Sequence, residues 1–227
     1  MKVIETIHLN KVYSGVVDIH AVDDVSLSIE QGEFTAIVGP SGSGKTTLLN
    51  MIGGLDRPTS GQIKVGEANI ADLSSNELID FRLKNIGFVF QAYNLIPVLT
   101  AQENVEFVML LQKRPKAERD ARVKELMAEV GLGDRLKNRP NQLSGGQQQR
   151  VAVARALASK PRFVLADEPT ANLDSASTTK LLDIMAELNK KENITFIFST
   201  HDQRVIDRAR RVITLEDGKI VSDETRK

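Results

Sequence analysis

The sequence predicts an α/β fold with a mainly parallel sheet, an antiparallel β subdomain at its N-terminus and an inserted α-helical lobe. Three observations support this prediction. Short apolar strands alternate with helical stretches, one such strand runs into a glycine-rich loop, and the middle third of the chain is mostly helix-like. Strands that alternate with helices form a parallel sheet, because each helix carries the chain back across the sheet.

The first strands and the first helix follow from hydrophobic patterning. In "VDDVSLSIE", Val25, Leu27 and Ile29 alternate with polar residues, which is typical of a half-exposed antiparallel strand. "EFTAIVG" is short and apolar, so it predicts a buried strand that ends in a loop. "TTLLNMIGGL" has helical spacing, and "SGQIKVG" predicts another strand after a turn.

The middle of the chain predicts the inserted lobe. Between Thr100 and Val130 the pattern is mostly helical, with Pro97 and Pro115 as interruptions. We expect a single domain over residues 1–227. Its core would comprise about 1–90 and 160–227, and its helical lobe about 95–158.

The last third returns to strands of the buried type, in "RFVLAD", "ITFIFST" and "RVITLE". The segment "SASTTKLLDIMAELNKK" between them predicts an amphipathic helix. Its apolar stripe comprises Leu181, Leu182, Met185 and Leu188. "DGKI" near the end predicts a hairpin turn.

Composition excludes several classes of protein. The 30 basic and 30 acidic residues balance, which argues against a chain built mainly to hold nucleic acid. The absence of cysteine excludes disulfides, thiolate metal sites and thiol nucleophiles. No apolar run approaches the ~20 residues of a membrane span, and the charged, alternating N-terminus is unlike a signal peptide.

A phosphate-binding loop lies at "GPSGSGKTT", between the predicted buried strand and the predicted helix. Gly39, Gly44, Lys45 and Thr46 match the pattern GxxxxGKT in full. Glycines allow backbone N–H groups to face phosphate oxygens, Lys45 supplies positive charge and Thr46 offers a hydroxyl to Mg²⁺. The alternative, a Gly–Ser turn with a chance lysine, leaves this context unexplained. The pattern predicts a P-loop NTPase core, with nucleotide contacts from Gly39, Pro40, Ser41, Gly42, Ser43, Gly44, Lys45, Thr46 and Thr47.

Two carboxylates end the strand in "RFVLADEP". Asp167 at the strand tip suits a water-mediated contact with Mg²⁺, and Glu168 beyond it is placed to polarise an attacking water. The alternative is a solvated strand end before Pro169. Adjacent acids at the end of a buried strand are more easily explained by a bound cation or a transferred proton.

Two further polar residues follow predicted strands in the same way. Gln91 follows "IGFVF", where its neutral amide can reach both Mg²⁺ and the water. His201 follows "ITFIFST" at the carboxyl end of a strand, where parallel sheets place their active residues. His8 and His20 receive no role.

A second anion-type site occurs in "NQLSGGQQQRVAVARALASKP". Ser144 stands at a helix cap position and two glycines follow it. The free backbone N–H groups of this helix N-terminus would lie at the positive end of the helix dipole. A chain that already has a phosphate loop has no evident use for another.

Together these motifs resemble the ATP-binding subunits of ABC transporters over nearly the whole chain. The resemblance identifies "GPSGSGKT" as Walker A, Gln91 in "VFQAYNL" as the Q-loop, "LSGGQ" as the signature and "FVLADEP" as Walker B. It also matches "NLD" to the D-loop, His201 to the switch histidine and Tyr13 to the aromatic residue that stacks on adenine. "FVFQAYNLIPVLTAQENV" and "LADEPTANLD" look most like the lipoprotein-release, macrolide-export and cell-division branch, apart from Ala171 where glycine is common.

The resemblance implies a head-to-tail homodimer in which each signature loop closes over the ATP of the other subunit. It implies ATP and Mg²⁺ as ligands and Glu168, His201 and Gln91 as catalytic residues. Thr46, Gln91 and, through water, Asp167 would hold the metal. The expected nucleotide contacts outside Walker A are Tyr13, Ser144, Gly145, Gly146, Gln147 and Asp174.

The resemblance also implies a cytoplasmic protein, peripheral on the inner face of the cell membrane, with an integral membrane permease subunit as partner and no nucleic acid. The lobe and the Gln91 loop would dock that subunit. Because "LIPVL" is too apolar for a free loop, we expect an exposed apolar groove around Leu95 to Val105. The alternative is a small local core under Pro97.

The sequence also bears on four other functions. Chromosome-maintenance and repair ATPases insert long coiled coils before the signature, and no heptads occur here. Ribosome-associated relatives carry two cassettes, and P-loop kinases need neither "LSGGQ" nor the glutamate after Asp167. A complex that transmits force without moving cargo would use the same motor and remains open.

Overall fold

The structure, a computed structural model, describes residues 1–226 and confirms the α/β fold. Its strands are β1 (Lys2–Tyr13), β2 (Ile19–Glu30), β3 (Phe34–Val38), β4 (Ser60–Val65), β5 (Ala68–Asn69), β6 (Ile86–Phe90), β7 (Phe163–Asp167), β8 (Thr195–Ser199), β9 (Arg211–Glu216) and β10 (Lys219–Thr225). Its α-helices are α1 (Lys45–Ile52), α2 (Ser75–Asn85), α3 (Ala101–Leu111), α4 (Lys116–Glu129), α5 (Gly145–Ala158), α6 (Ser175–Glu192) and α7 (Gln203–Ile206).

The strands form two sheets. An antiparallel sheet has the order β2-β1-β4-β5, and a larger sheet has the order β10-β9-β3-β8-β7-β6. All neighbours in the larger sheet are parallel except the hairpin of β9 and β10. That hairpin turns at Asp217 and Gly218, which both have positive φ, as expected for a two-residue hairpin loop.

Burial explains the two strand patterns. Nearly every residue of β3, β7 and β8 is buried, because one face of the larger sheet packs against α5 and α6 and the other packs against α1 and the antiparallel sheet. In β2, by contrast, Val25, Leu27 and Ile29 are buried and the residues between them are more exposed. The predicted alternation is therefore confirmed.

Helices α3, α4 and α5 lie between β6 and β7 in the chain, within the bounds expected for the lobe. One apolar cluster joins them to the sheet and to α6, where Leu181, Leu182, Met185 and Leu188 are all buried. The division of the chain into core and lobe stays a prediction. Of the helices within residues 1–226, none has the length and hydropathy that a membrane span requires.

Helix α2 is an element that the hydrophobic pattern did not predict, because only Leu78 of its residues is buried. A local signal for it exists. Ser74 accepts a hydrogen bond from the backbone of Glu77, and the Glu77 side chain accepts one in return from the backbone of Ser74. Such a capping box is typical of a helix N-terminus.

The order of the larger sheet positions the candidate site. β3, β8, β7 and β6 are consecutive neighbours and run parallel, so their carboxyl ends meet at one edge. The glycine-rich loop follows β3, His201 follows β8, Glu168 follows β7 and Gln91 follows β6. Residues far apart in the sequence thus share one edge of the sheet.

Candidate functional site

The glycine-rich loop depends on backbone conformations that side chains would oppose. Gly39, Gly42 and Gly44 have φ values of 148°, 82° and 98°. A Cβ atom on Gly39 would lie 2.0 Å from the carbonyl oxygen of Leu215, and one on Gly44 would lie 2.0 Å from that of Ala21. Strands β9 and β2 therefore press against the loop, and only glycine fits at these two contacts.

Lys45 begins α1 and turns its side chain back under the loop. Its Nζ donates hydrogen bonds to the carbonyl oxygens of Gly39 at 2.8 Å and Pro40 at 2.9 Å, and the residue is only 8% exposed. Within residues 1–226 no carboxylate pairs with this ammonium. The Oγ of Ser43 is buried and has no hydrogen-bond partner among the same described residues. An uncompensated cation and an unpartnered hydroxyl in a glycine loop fit a bound phosphate group.

The next side chain faces the end of β7. The hydroxyl of Thr46 donates to the two carboxylate oxygens of Asp167, at 3.1 and 3.2 Å. Together with the exposed amide of Gln91, these groups form a donor set made only of oxygen atoms. Such a set fits Mg²⁺, which prefers oxygen ligands and keeps several of its waters.

Glu168 is held in an unusual conformation. Its φ is 44°, in the left-handed region, and its N–H donates to the carbonyl oxygen of Ser199 on the neighbouring strand at 2.9 Å. Backbone strain of this kind costs energy and is concentrated at functional sites. The strain directs the side chain away from Asp167, toward the loop that follows β8.

Both carboxylate oxygens of Glu168 have partners on that loop. Oε1 lies 2.7 Å from Nδ1 of His201, and Oε2 accepts a hydrogen bond from the buried hydroxyl of Thr200 at 3.2 Å. The His201 side chain is 75% exposed, whereas that of Glu168 is 18% exposed. Thr200 was not among the predicted residues. Its position between a buried strand and His201 was the available signal.

Most of these residues, but not Ser43, Asp167 or Thr200, line one cavity of about 610 Å³ at the edge of the sheet. It is lined by Ile19, His20, Ala21, Gly39, Pro40, Ser41, Gly42, Gly44, Lys45, Thr46, Thr47, Gln91, Glu168 and His201. The structure thus brings most of the Walker A loop together with the predicted catalytic residues. The start of β2 also lines the cavity, including His20, to which the sequence assigned no role.

The loop after Gln91 is held by hydrogen bonds from residues that lie outside the sheet. The carbonyl oxygen of Gln91 accepts from the amide of Asn172 at 3.0 Å, which joins it to the D-loop segment. Tyr93 and Asn94 both have positive φ, and their carbonyl oxygens accept from the guanidinium of Arg155 on α5. Burial lowers the pKa of Arg155.

The signature segment does not face this cavity, since none of its residues from Ser144 to Gln147 lines it. Ser144 caps α5 in a capping box with Gln147 and is exposed. A Cβ atom on Gly145 would lie 2.7 Å from the hydroxyl of Tyr93, and one on Gly146 would lie 2.7 Å from Oγ of Ser177. The glycines therefore allow close packing while the first N–H groups of α5 stay without intrahelical acceptors.

Two other predicted contacts also lie outside the cavity lining. Asp174 caps α6, where its carboxylate accepts from the N–H of Ser177 at 2.8 Å, and this bond lowers the pKa of Asp174. Tyr13 ends β1 with its side chain partly exposed, and its hydroxyl donates to Asp56 at 2.7 Å. Partial burial and the Asp56 carboxylate raise the pKa of Tyr13.

The segment from Leu95 to Val105, which was expected to form an exposed apolar groove, packs mainly on the core. Val105 is fully buried and Leu95 packs against the main core, so of the bulky residues in this segment only Val98 is largely exposed. The buried amide of Asn104 explains this arrangement, because it binds the carbonyl oxygens of Ile96, Leu99 and Thr100 and folds the loop onto α3.

An apolar groove of about 440 Å³ lies nearby, between α2, β6 and the end of α3. Its lining comprises Leu55, Ile79, Arg82, Leu83, Ile86, Phe88 and Leu111. Leu55, Ile79 and Leu111 are each about half exposed. Exposed apolar patches of this kind mark interaction sites.

The chain is similar to proteins of established families. A family model described as "ABC transporter" matches residues 22–171. The macrolide export ATP-binding/permease protein MacB of Hyphomonas neptunium is 49% identical over 214 residues, which cover 94% of this chain and 33% of that protein. The lipoprotein-releasing system ATP-binding protein LolD of Legionella pneumophila is 44% identical over 212 residues, which cover 93% of each. The chain therefore spans a third of MacB and nearly all of LolD.

A solved structure agrees with these matches. The ATP-binding cassette MJ0796, in a dimeric post-hydrolysis state bound to ADP and Pi, is 43% identical, with a TM-score of 0.90 and 99% of each chain covered. Fold, motif order and sequence similarity all point to the same group. The chain belongs to the ABC transporter family, as one of its ATP-binding domains.

Proposed function

We propose that this chain binds and hydrolyses ATP on the cytoplasmic face of the membrane as the energising subunit of an ABC complex. One observation supports the proposal: a buried lysine and a strained glutamate line a single cavity together with Thr46 and Gln91 of the oxygen donor set. Within residues 1–226 the lysine has no carboxylate partner, and Thr46 also bonds to Asp167 beside the cavity. This arrangement combines phosphate binding, metal binding and activation of water. Ion pairs that only stabilise a fold do not require all three of these features at one place.

The chemistry follows from these positions. Lys45 and the loop amides bind the phosphate oxygens of ATP, and Glu168 accepts a proton from the water that attacks the γ-phosphate, so that ADP and phosphate leave. His201 holds the Glu168 carboxylate in place. Thr46, Asp167 and Gln91 would hold Mg²⁺, which supplies positive charge to the phosphates when bound.

The signature segment fits a role in a second copy of the chain. Ser144 is exposed at the positive end of α5 and Gly145 to Gln147 are partly exposed, but none of these residues lines the chain's own cavity. In a head-to-tail homodimer they would grip the γ-phosphate that Lys45 of the other copy holds. The dimeric state of the MJ0796 cassette supports this arrangement.

The partner in the membrane would be a permease. MacB is an ATP-binding/permease protein, so that relative has both functions in one chain. The apolar groove with Leu55, Ile79 and Leu111 is a suitable surface for a short amphipathic helix of such a subunit. The same motor serves macrolide export, lipoprotein release or transmission of force without cargo, because the membrane subunit selects the cargo.

Purified protein should hydrolyse ATP slowly, cooperatively and only with Mg²⁺. Cooperativity is expected because each site needs a second copy. Phosphate release measured against ATP concentration tests this, with EDTA as the control that removes the metal. If release continues unchanged in EDTA, the role assigned to Thr46 and Asp167 is wrong.

Charge placed in the groove should separate the chain from its membrane partner. We expect Ile79→Glu and Leu111→Glu to lose an integral membrane protein that co-purifies with the tagged wild-type chain, because a carboxylate in an apolar interface is costly. Val221→Glu is the matched control, since Val221 is equally exposed on β10, outside the groove. ATP hydrolysis by the isolated variants should be unchanged. Retention of the partner by both groove variants would contradict the docking proposal.

A further inference from the structure

Gln149 is a fully buried amide on the signature helix α5. Its Nε2 donates to two backbone carbonyl oxygens, that of Pro169 at 2.7 Å and that of Phe90 at 3.2 Å. Phe90 is the residue before Gln91, and Pro169 is the residue after Glu168. A single amide group thus joins the backbones that carry two of the proposed catalytic side chains.

The two carbonyl groups depend on Gln149 to different degrees. The Phe90 oxygen also accepts from the N–H of Tyr93 at 3.2 Å. In the described part of the chain, Gln149 is the sole donor to the Pro169 oxygen. Loss of the amide would therefore release the segment after Glu168 more than the segment before Gln91.

Stability alone does not favour an amide at this position. Oε1 of Gln149 is buried and no group of residues 1–226 donates a hydrogen bond to it, and a buried acceptor without a donor is unfavourable. Its neighbours Val151, Ala152 and Val153 on α5 are apolar and fully buried. An apolar side chain of similar size would remove the unpartnered oxygen, so the amide is better explained by what its Nε2 holds.

We propose that Gln149 is a positioning residue for ATP hydrolysis, which fixes the spacing between Gln91 and Glu168 and ties both to the helix that begins at Ser144. This inference rests on the proposed ATPase function. Glu168 already has a strained backbone, and its proton-accepting oxygen needs a defined place relative to the water. Small displacements of such groups cost large factors in rate.

The test compares Gln149→Met with Gln148→Met. Methionine keeps the length of the side chain and removes the donor. Gln148 is the matched control, because its Nε2 donates only to the carbonyl oxygen of Leu143 at 3.1 Å, within the signature segment. We expect Gln149→Met to lower kcat about tenfold or more, with less change in KM, and Gln148→Met to leave kcat near the wild-type value.

A second readout needs no nucleotide. Hydrogen exchange followed by mass spectrometry should show faster exchange in peptides that cover residues 168–174 of Gln149→Met, with no change in Gln148→Met. If Gln149→Met fails to fold, Gln149→Leu removes the same donor with a different shape. The wild-type rate in the same assay tests the proposed function separately: an inactive wild type overturns that function, and exchange still tests the contact.

The inference is overturned if the two methionine variants have equal kcat values. It is overturned equally if kcat falls without faster exchange after Glu168, or if exchange rises without loss of kcat, because positioning requires both. A loss confined to KM would show that Gln149 supports nucleotide binding instead.

Discussion

Replacement of Lys45 by alanine is expected to reduce kcat/KM for ATP at least about 100-fold, the order seen when a preorganised charge-stabilising donor is removed. The Lys45 ammonium is buried against the Gly39 and Pro40 carbonyls and forms no ion pair with a carboxylate of residues 1–226, so its charge is available to a phosphate. Without it, the phosphate charge in the cavity is uncompensated. Equilibrium binding of ATP measures the loss of affinity, and steady-state hydrolysis measures the loss of turnover.

Lys116→Ala is the control for this experiment. Lys116 is an exposed lysine on α4 that pairs with Asp120, far from the loop in the sequence, and its removal should leave hydrolysis unchanged. Circular dichroism would establish that both variants are folded. Hydrolysis at the full rate in Lys45→Ala would show that the glycine-rich loop is not the phosphate site.

Glu168→Gln is expected to lower the rate of hydrolysis by a factor of about 10² to 10⁴, the usual contribution of a general base. Glutamine keeps the shape of the side chain but cannot accept the proton. ATP should still bind, so the state in which two copies share it should accumulate. We therefore expect the variant to be monomeric without nucleotide and with ADP, and dimeric with ATP, in size-exclusion chromatography with light scattering.

Glu187→Gln provides the matched control, because Glu187 is an exposed glutamate on α6 with no assigned role. It should hydrolyse ATP like the wild type and accumulate no dimer. Addition of Ser144→Arg to Glu168→Gln should abolish the dimer, because a bulky side chain would occupy the γ-phosphate face of the other copy. A dimer that forms equally well with ADP would contradict the role given to the γ-phosphate.

The sequence predicted the buried strands and the position of the glycine-rich loop because both depend on local pattern. The apolar runs of β3 and β7 determine burial directly, and the spacing of Gly39, Gly44 and Lys45 indicates a loop between a strand and a helix, which is where the structure has it. Helix α2 escaped prediction because a largely exposed helix lacks an apolar stripe. Its capping box was the remaining local signal.

Contacts between distant segments could not be predicted in this way. The Thr200 hydroxyl reaches Glu168 only because β7 and β8 are neighbours in the sheet. Gln149 reaches Phe90 and Pro169 only because α5 packs against β6 in the folded chain. The exposed groove predicted from the apolar "LIPVL" segment was wrong for the same reason. The Asn104 amide binds carbonyl oxygens of this segment and folds it onto the core.

We infer that the signature segment serves the ATP of a second copy, which places Ser144 of one chain close to the glycine-rich loop of the other. Because the chain has no cysteine, Ser41→Cys and Ser144→Cys each introduce a single thiol. Each change is made in a separate, differently tagged Glu168→Gln chain. The two chains are mixed in the presence of ATP or ADP and treated with a short bifunctional thiol reagent. We expect a covalent product between the two chains with ATP, little with ADP, and little from either variant alone. A chain carrying both cysteines that cross-links within itself, with no product between chains in ATP, would contradict the claim.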